Sequence, residues 1–153
     1  MSLASIGRAK RLLVRAAGID YGSVRIGVAV ADELGLLAHP RSCLSGRNPG
    51  RMVDALADLA REEGIDLFVV GLPRTLDGRE GTSARRVRKF AALLRARSGC
   101  RVLLFDERWS TKDAHARLMQ AGHRTPERRA RVDSAAAALL LQAYLDGTAR
   151  EAT

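Results

Sequence analysis

The chain has 153 residues, of which 46% are apolar, and this length suffices for one substantial core but not for two ordinary domains. Its 26 Lys and Arg residues outnumber its 17 Asp and Glu residues, giving a formal net charge of +9 and a pI near 10.9. This charge favours a polyanionic partner, with nucleic acid the first candidate. Because few of the basic residues are lysines, biased codon usage for arginine is the alternative explanation.

The cysteines and the apolar runs indicate a cytoplasmic protein. Cys43 and Cys100 lie far apart, each in or beside an apolar run, which is typical of reduced core residues rather than of a disulfide or a metal site. Arg11 and Arg15 interrupt the segment where a signal peptide would need continuous apolar residues. No apolar run approaches the roughly 18 residues that a membrane span requires.

The first third of the chain predicts an antiparallel meander. Residues 1–14 are basic and lack a periodic pattern, which predicts a flexible extension before one domain at 15–147, with 148–153 as a tail. The apolar runs Arg15–Tyr21 and Arg25–Ala31, joined by a turn at Gly22–Ser23, predict a β-hairpin. A third strand is expected from Leu36 to Leu44.

The pattern then alternates between helices and strands. Apolar residues at three- and four-residue intervals predict one helix ending at Gly64 and a second after the loop GLPRTLDGREG. Their apolar positions are Met52, Val53, Leu56, Leu59 and Ala60 in the first helix, and Val87, Phe90, Ala91 and Leu94 in the second. Strands are expected at Asp66–Gly71, between these helices, and at Arg101–Phe105, after them.

Two more helices are predicted, one from Ser110 to about Gly122 and the last from about Val132 to Asp146. The loops around 74–81 and 123–131 are expected to be mobile. Because strands that follow helical crossovers run parallel, the fold class is α/β, with a five-stranded mixed sheet flanked by helices.

Three acidic positions are candidates for chemistry. Asp20 lies in an otherwise apolar strand, where an unpaired carboxylate costs several kcal/mol, so either a structural partner or a metal ion should compensate it. The pair Asp106-Glu107 follows an apolar strand, and alternation sends its two side chains to opposite faces. Asp133 precedes the apolar run SAAAALLLQAY of the last helix. A solvated turn for the pair and helix capping for Asp133 are the alternative interpretations.

Taken together, the acids come from a first strand, a later strand end and the start of a buried helix, and these elements can converge at one edge of a sheet. Such carboxylates repel one another unless Mg²⁺ or Mn²⁺ lies between them. Two such ions support phosphodiester hydrolysis. The sequence therefore predicts a phosphoryl-transfer nuclease with Asp20, Glu107 and Asp133 as ligands and Asp106 as a possible supporting ligand.

Arginines near these acids should offset the repulsion between the carboxylates and a polyanionic substrate. The candidates are Arg25, Arg74, Arg108, Arg128, Arg129 and Arg131. The basic residues of the second predicted helix are interpreted as a solvated face; they are Arg85, Arg86, Arg88 and Lys89. The three histidines show no metal-ligand spacing, and Trp109 is interpreted as a packing residue.

Four motifs in order resemble the YqgF/RuvX family. They are GIDYGSVRIGVAVAD (18–32), VVGLPRTLDGREG (69–81), FDERWST (105–111) and VDSAAAALLLQAYLD (132–146). The resemblance implies a ribonuclease H-like fold and matches Asp20, Glu107 and Asp133 to the family's acids. Val24 and Trp109 depart from the residues usual in relatives, which leaves the acids intact but makes two substrate contacts uncertain.

The resemblance implies two nuclease activities that use the same acids: processing of the 5′ end of precursor 16S ribosomal RNA, and resolution of Holliday junctions. A junction resolvase should be a homodimer, whereas an RNA-processing enzyme could be a monomer. A non-catalytic nucleic-acid-binding module is a further alternative. The segment GIDYGS also resembles the phosphate loop of actin-like ATPases and sugar kinases, but those need two copies of the fold, and this chain has the length of one.

Overall fold

The five strands form one mixed sheet. The structure, a computed structural model, describes residues 14–45, 47–73, 79–106 and 126–151. In the last of these ranges, side chains are described only for residues 134–147. The strands are β1 (Ala16–Tyr21), β2 (Arg25–Ala31), β3 (Ala38–Ser45), β4 (Leu67–Leu72) and β5 (Arg101–Asp106), in the spatial order β3-β2-β1-β4-β5. β1, β2 and β3 pair antiparallel, whereas β1, β4 and β5 pair parallel, which confirms the predicted meander and crossovers.

Three helices are described: α1 (Pro49–Glu63), α2 (Thr82–Ser98) and α3 (Pro126–Glu151). α1 begins where the Asn48 side chain accepts hydrogen bonds from two backbone amides of the first turn, and Pro49 supplies a helical φ. It ends at Gly64, whose φ of 70° lies in the left-handed region that glycine adopts without strain. The predicted helix end at Gly64 arises from this geometry, and α2 ends in the same way at Gly99, with a φ of 69°.

The sheet separates two hydrophobic cores. On one face, side chains of β1, β2 and β4 pack with α1 and α2 around buried residues such as Ile19, Phe68 and Leu94. On the other face, smaller side chains pack against α3, including Ala16 and Ala29 against Leu141. Because alternate strand residues face opposite sides, the odd-numbered residues of β1 face α1 and α2, and the even-numbered residues face α3.

The end of the chain corrects one expectation. α3 begins at Pro126, so 126–131 are helical rather than part of a mobile loop, and the helix continues beyond Asp146 to Glu151. Proline at the first position of a helix needs no amide partner and has the required φ, so here it starts the helix rather than extending the loop. Three predictions lie wholly or largely outside the described residues: residues 1–13 of the extension predicted at 1–14, residues 74–78 of the loop predicted at 74–81, and the helix predicted from Ser110.

None of the described helices is both long enough and apolar enough to cross a membrane.

Candidate functional site

Asp20 lies at the carboxyl end of β1, on the face that α3 covers. Its neighbours Ile19 and Tyr21 pack in the core with α1 and α2, so alternation assigns Gly18 and Asp20 to the opposite face. The residue is partly exposed rather than buried, and it has an interaction partner within the protein. A partly open carboxylate at this strand end can contact both the fold and a ligand.

Arg25 lies on the same face as Asp20. Asp20 pairs with Gly27 across the hairpin, and Arg25 is two residues from Gly27 along β2, which makes it a diagonal neighbour within reach of a long side chain. The alternation agrees, because Ile26 is buried in the opposite core. The turn is closed by a hydrogen bond of 2.9 Å from the Gly22 amide to the Arg25 carbonyl oxygen.

α3 crosses β1 in close contact. A Cβ atom built on Gly18 would lie 2.7 Å from the carbonyl oxygen of Ala137 and 2.8 Å from Cβ of Leu141, so only glycine permits this approach. Toward its amino terminus, the buried Ser134 accepts a hydrogen bond of 3.5 Å from the backbone amide of Val28. Since Val28 pairs with Ile19, the start of α3 lies toward the Asp20 end of β1.

This crossing determines how far along the β1 axis residue 133 of α3 lies. Residues 133 and 137 are one helical turn apart, about 5.4 Å along the axis, and Gly18 and Asp20 are about 6.6 Å apart along the strand. Because Ala137 lies over Gly18, the backbone of Asp133 lies at about the same height along the β1 axis as Asp20. The side chain of Asp133 lies outside those described, as do those of Arg128, Arg129 and Arg131 in the first turns of the same helix.

Asp106 is on the other side of the sheet. It is the last residue of β5 and pairs with Leu72, and Val102 and Leu104, which share its parity, pack in the core with α1 and α2. The described strand therefore directs Asp106 away from the face that carries Asp20. Glu107, Arg108 and Arg74 lie outside the described residues.

The side chains that are described contain no group of three residues able to hold a metal ion. Of the three acids predicted as ligands, only Asp20 has a described side chain, since Glu107 and the side chain of Asp133 lie outside the described part of the structure.

A groove opens at the carboxyl ends of β1 and β4, next to Tyr21, the residue that follows Asp20. It has a volume of about 600 Å³ and is lined by the β1–β2 turn, by Pro73 after β4 and by one side of α2. Tyr21, the residue after Asp20, stacks on Phe90 of α2 with ring centroids 4.4 Å apart and contributes to the wall. The sequence contains two signals for it: Pro73 belongs to the family-like motif at 69–81, and Arg86 and Lys89 are spaced three residues apart, although the basic residues of this helix are interpreted above as a solvated face.

The fold has known counterparts among nucleic-acid enzymes. Thermus thermophilus RuvC, solved with a Holliday junction substrate, superposes with a TM-score of 0.55 at 16% identity, over 87% of this chain and 96% of that one. The fowlpox virus Holliday junction resolvase gives a TM-score of 0.52 at 13% identity, over 88% of this chain and 99% of that one. The protein therefore has the ribonuclease H-like fold of the RuvC-type resolvases, as the resemblance implied.

The sequence comparison is more specific. Residues 14–147 match the family described as "RuvX: Holliday junction resolvase", and the chain belongs to this family. A relative from Anaeromyxobacter sp. (strain K) is 44% identical over 133 residues, which cover 87% of this chain and 97% of that protein. One from Syntrophus aciditrophicus is 40% identical, over 90% of this chain and 92% of that protein. Both carry the name "Putative pre-16S rRNA nuclease".

Proposed function

We propose that this protein is a metal-dependent nuclease that processes the 5′ end of precursor 16S ribosomal RNA in the cytoplasm. The observation that carries the proposal is the contact of α3 with Gly18, because it brings the backbone of Asp133 to the level of Asp20. Two carboxylates from distant parts of the chain would then share one edge of the sheet. The names of the two relatives support the choice of substrate.

The ligand set is completed by Glu107, in preference to Asp106. The described part of β5 assigns Asp106 to the face away from Asp20, and alternation assigns the next residue to the Asp20 face. Asp20, Glu107 and Asp133 are oxygen donors of the kind that Mg²⁺ and Mn²⁺ prefer. When bound, such ions activate a water molecule and stabilise the leaving oxygen of a phosphodiester.

The protein's own residues bind and orient the substrate. Arg25, on the face of Asp20, is suited to hold a phosphate near the acids through two parallel hydrogen bonds. Arg74, Arg108, Arg128, Arg129 and Arg131 remain candidates for further phosphate contacts. Together they would offset the repulsion between the acids and the phosphate backbone.

Resolution of Holliday junctions is the second candidate function. The family description and the two solved resolvases of the same fold favour it. A resolvase acts as a symmetric dimer on paired strands, so its cleavage should depend on self-association, whereas RNA processing can proceed in a monomer.

One experiment tests both functions. The purified protein is incubated with Mg²⁺ or Mn²⁺ and, in parallel, with precursor 16S RNA, unstructured single-stranded RNA and a four-way DNA junction. We expect preferred cleavage of the precursor near the mature 5′ end, and no cleavage after chelation of the metal. Preference for the junction would select the second function.

Asp20→Asn should abolish cleavage while leaving RNA affinity equal or higher, because the amide removes both a metal ligand and a repulsive charge. Asp58→Asn is the matched control, since Asp58 is an exposed residue of α1 that pairs with Arg61. Wild-type cleavage by Asp20→Asn would exclude the proposed mechanism.

A further inference from the structure

The groove at the carboxyl ends of β1 and β4 has two cationic side chains in its lining. Arg86 and Lys89 line it from α2, three residues apart on the same side of the helix. With respect to the other described residues, neither side chain makes an ion pair or hydrogen bond. Two cations on a concave surface that are not paired with any described residue are suited to bind an anionic ligand.

Arg88, Arg95 and Arg97 of α2 differ in this respect, because each has a partner within the fold. The Nε atom of Arg88 donates a hydrogen bond of 2.8 Å to Glu80, and this contact raises the pKa of the Arg88 guanidinium. Arg97 pairs with Asp54 at 2.9 Å, and Arg95 donates to the carbonyl oxygen of Val102 at 3.3 Å. These three contacts support the fold, so the charge available on the groove side of α2 belongs to Arg86 and Lys89.

The remaining lining is partly apolar, and we call it the floor of the groove. Tyr21 stacks on Phe90, and Pro49 and Pro73 add further apolar surface. Ser83, in the first turn of α2, adds a hydroxyl group. An apolar floor with a basic wall suits a nucleotide, whose sugar and base pack on carbon atoms while its phosphate contacts cations.

The groove and Asp20 lie at the same end of the sheet but on different faces. Asp20 and Tyr21 are consecutive in β1, so their side chains point to opposite sides at the strand end. Pro73 follows β4, which neighbours β1. A strand of nucleic acid that crosses this end of the sheet from the acidic face would enter the groove within a few nucleotides.

We infer that this groove binds one or two nucleotides of the substrate strand adjacent to the cleaved bond, with Arg86 and Lys89 contacting their phosphates. This inference rests on the proposed nuclease function and adds a binding site on the far side of the strand ends. The ligand is a single-stranded segment, because unpaired bases can pack on the apolar lining, whereas paired bases are stacked within a duplex.

The test is binding of a fluorescein-labelled, single-stranded RNA of about 12 nucleotides, measured by anisotropy in the presence of chelator so that cleavage does not interfere. We expect Arg86→Ala with Lys89→Ala to weaken binding on the order of tenfold and to reduce the slope of log K against log salt by about 1.4. The charge-matched control is Arg85→Ala with Arg101→Ala. Arg85 is an exposed residue of α2 outside the groove, and Arg101 begins β5 at the opposite end of the sheet.

A second pair of variants separates shape from charge. Ser83→Trp fills the groove and leaves the charge unchanged, whereas Thr82→Trp adds the same side chain at an exposed position outside the groove. Weaker binding by Ser83→Trp alone would support the inference. Equal effects of the groove and control variants, in either set, would overturn it.

Two further outcomes distinguish other possibilities. If the groove variants lose binding of a nucleoside monophosphate or inorganic phosphate but keep full affinity for the oligonucleotide, the groove is a site for free ligands and the inference is wrong. If the groove variants bind RNA like wild type while cleavage still requires Asp20, the inference fails and the proposed nuclease function stands.

Discussion

Gly18 of β1 lies directly against Ala137 of α3, so closely that a Cβ atom at position 18 would be 2.7 Å from the Ala137 carbonyl oxygen. The contact joins the strand that carries Asp20 to the helix that carries Asp133. It explains why a glycine occurs within the apolar strand AAGIDY. It also makes the position of Asp133 relative to Asp20 depend on how α3 packs on β1.

Gly18→Ala is therefore expected to lower the free energy of unfolding by about 1–3 kcal/mol, because the added methyl group displaces backbone rather than a flexible side chain. Displacement of α3 should also reduce the rate of RNA cleavage. Gly147→Ala is the control, since nothing lies within 4 Å of its added Cβ and alanine stabilises a helix by about 0.5–1 kcal/mol relative to glycine. Denaturant unfolding and a cleavage assay measure both effects, and equal stability of Gly18→Ala and wild type would contradict the close approach.

Gln142 links α3 to the turn between β2 and β3. Its side-chain oxygen accepts a hydrogen bond of 2.9 Å from the Ala38 amide, and its nitrogen donates to the carbonyl oxygen of Leu36 at 2.9 Å. We expect Gln142→Ala to cost about 1 kcal/mol in unfolding free energy, since the partly buried Ala38 amide loses its partner. Asp146→Ala, which removes an exposed contact with Gln142, should cost less than about 0.5 kcal/mol. The same loss in both variants would mean that the links to the turn contribute nothing.

Arg25 offers a test of substrate binding on the acidic face. Arg25→Ala should raise the KM for precursor RNA several-fold with a smaller change in kcat, because the side chain is proposed to hold a phosphate rather than to activate water. Arg25→Lys should recover part of the affinity, as lysine keeps the charge but loses the two parallel hydrogen bonds. Steady-state kinetics with both variants measure the difference, and an unchanged KM in Arg25→Ala would remove Arg25 from the substrate site.

The net charge of +9 predicts a strong salt dependence of binding. If six phosphates of single-stranded RNA are neutralised, the affinity should fall about 300-fold between about 50 and about 200 mM salt, because counterions are released on binding. Titrations at several salt concentrations give the slope directly. A flat response would mean that the excess of arginine does not serve nucleic-acid binding.

The order of the elements followed from local patterns. Apolar runs bounded by turn residues predicted the hairpin and the parallel strands, and Gly64 after apolar helical positions predicted the end of α1. These features depend on neighbouring residues and backbone preferences, which are visible along the chain. The predicted start of α3, near Val132, was wrong, because Pro126 and the arginines after it have a composition that is also typical of loops. Whether such a segment is a loop or a helix depends on packing farther along the helix.

The sequence by itself determined the fold class, the family motifs and the candidate acids, because hydrophobic period and turn residues act over a few positions. Only the tertiary structure decided that Asp106 faces away from Asp20, that position 133 reaches the level of Asp20, and that Arg86 and Lys89 border a groove. These relationships join residues far apart in the chain. They are set by strand register and by the distance at which a helix packs on a sheet, and a local pattern contains neither quantity.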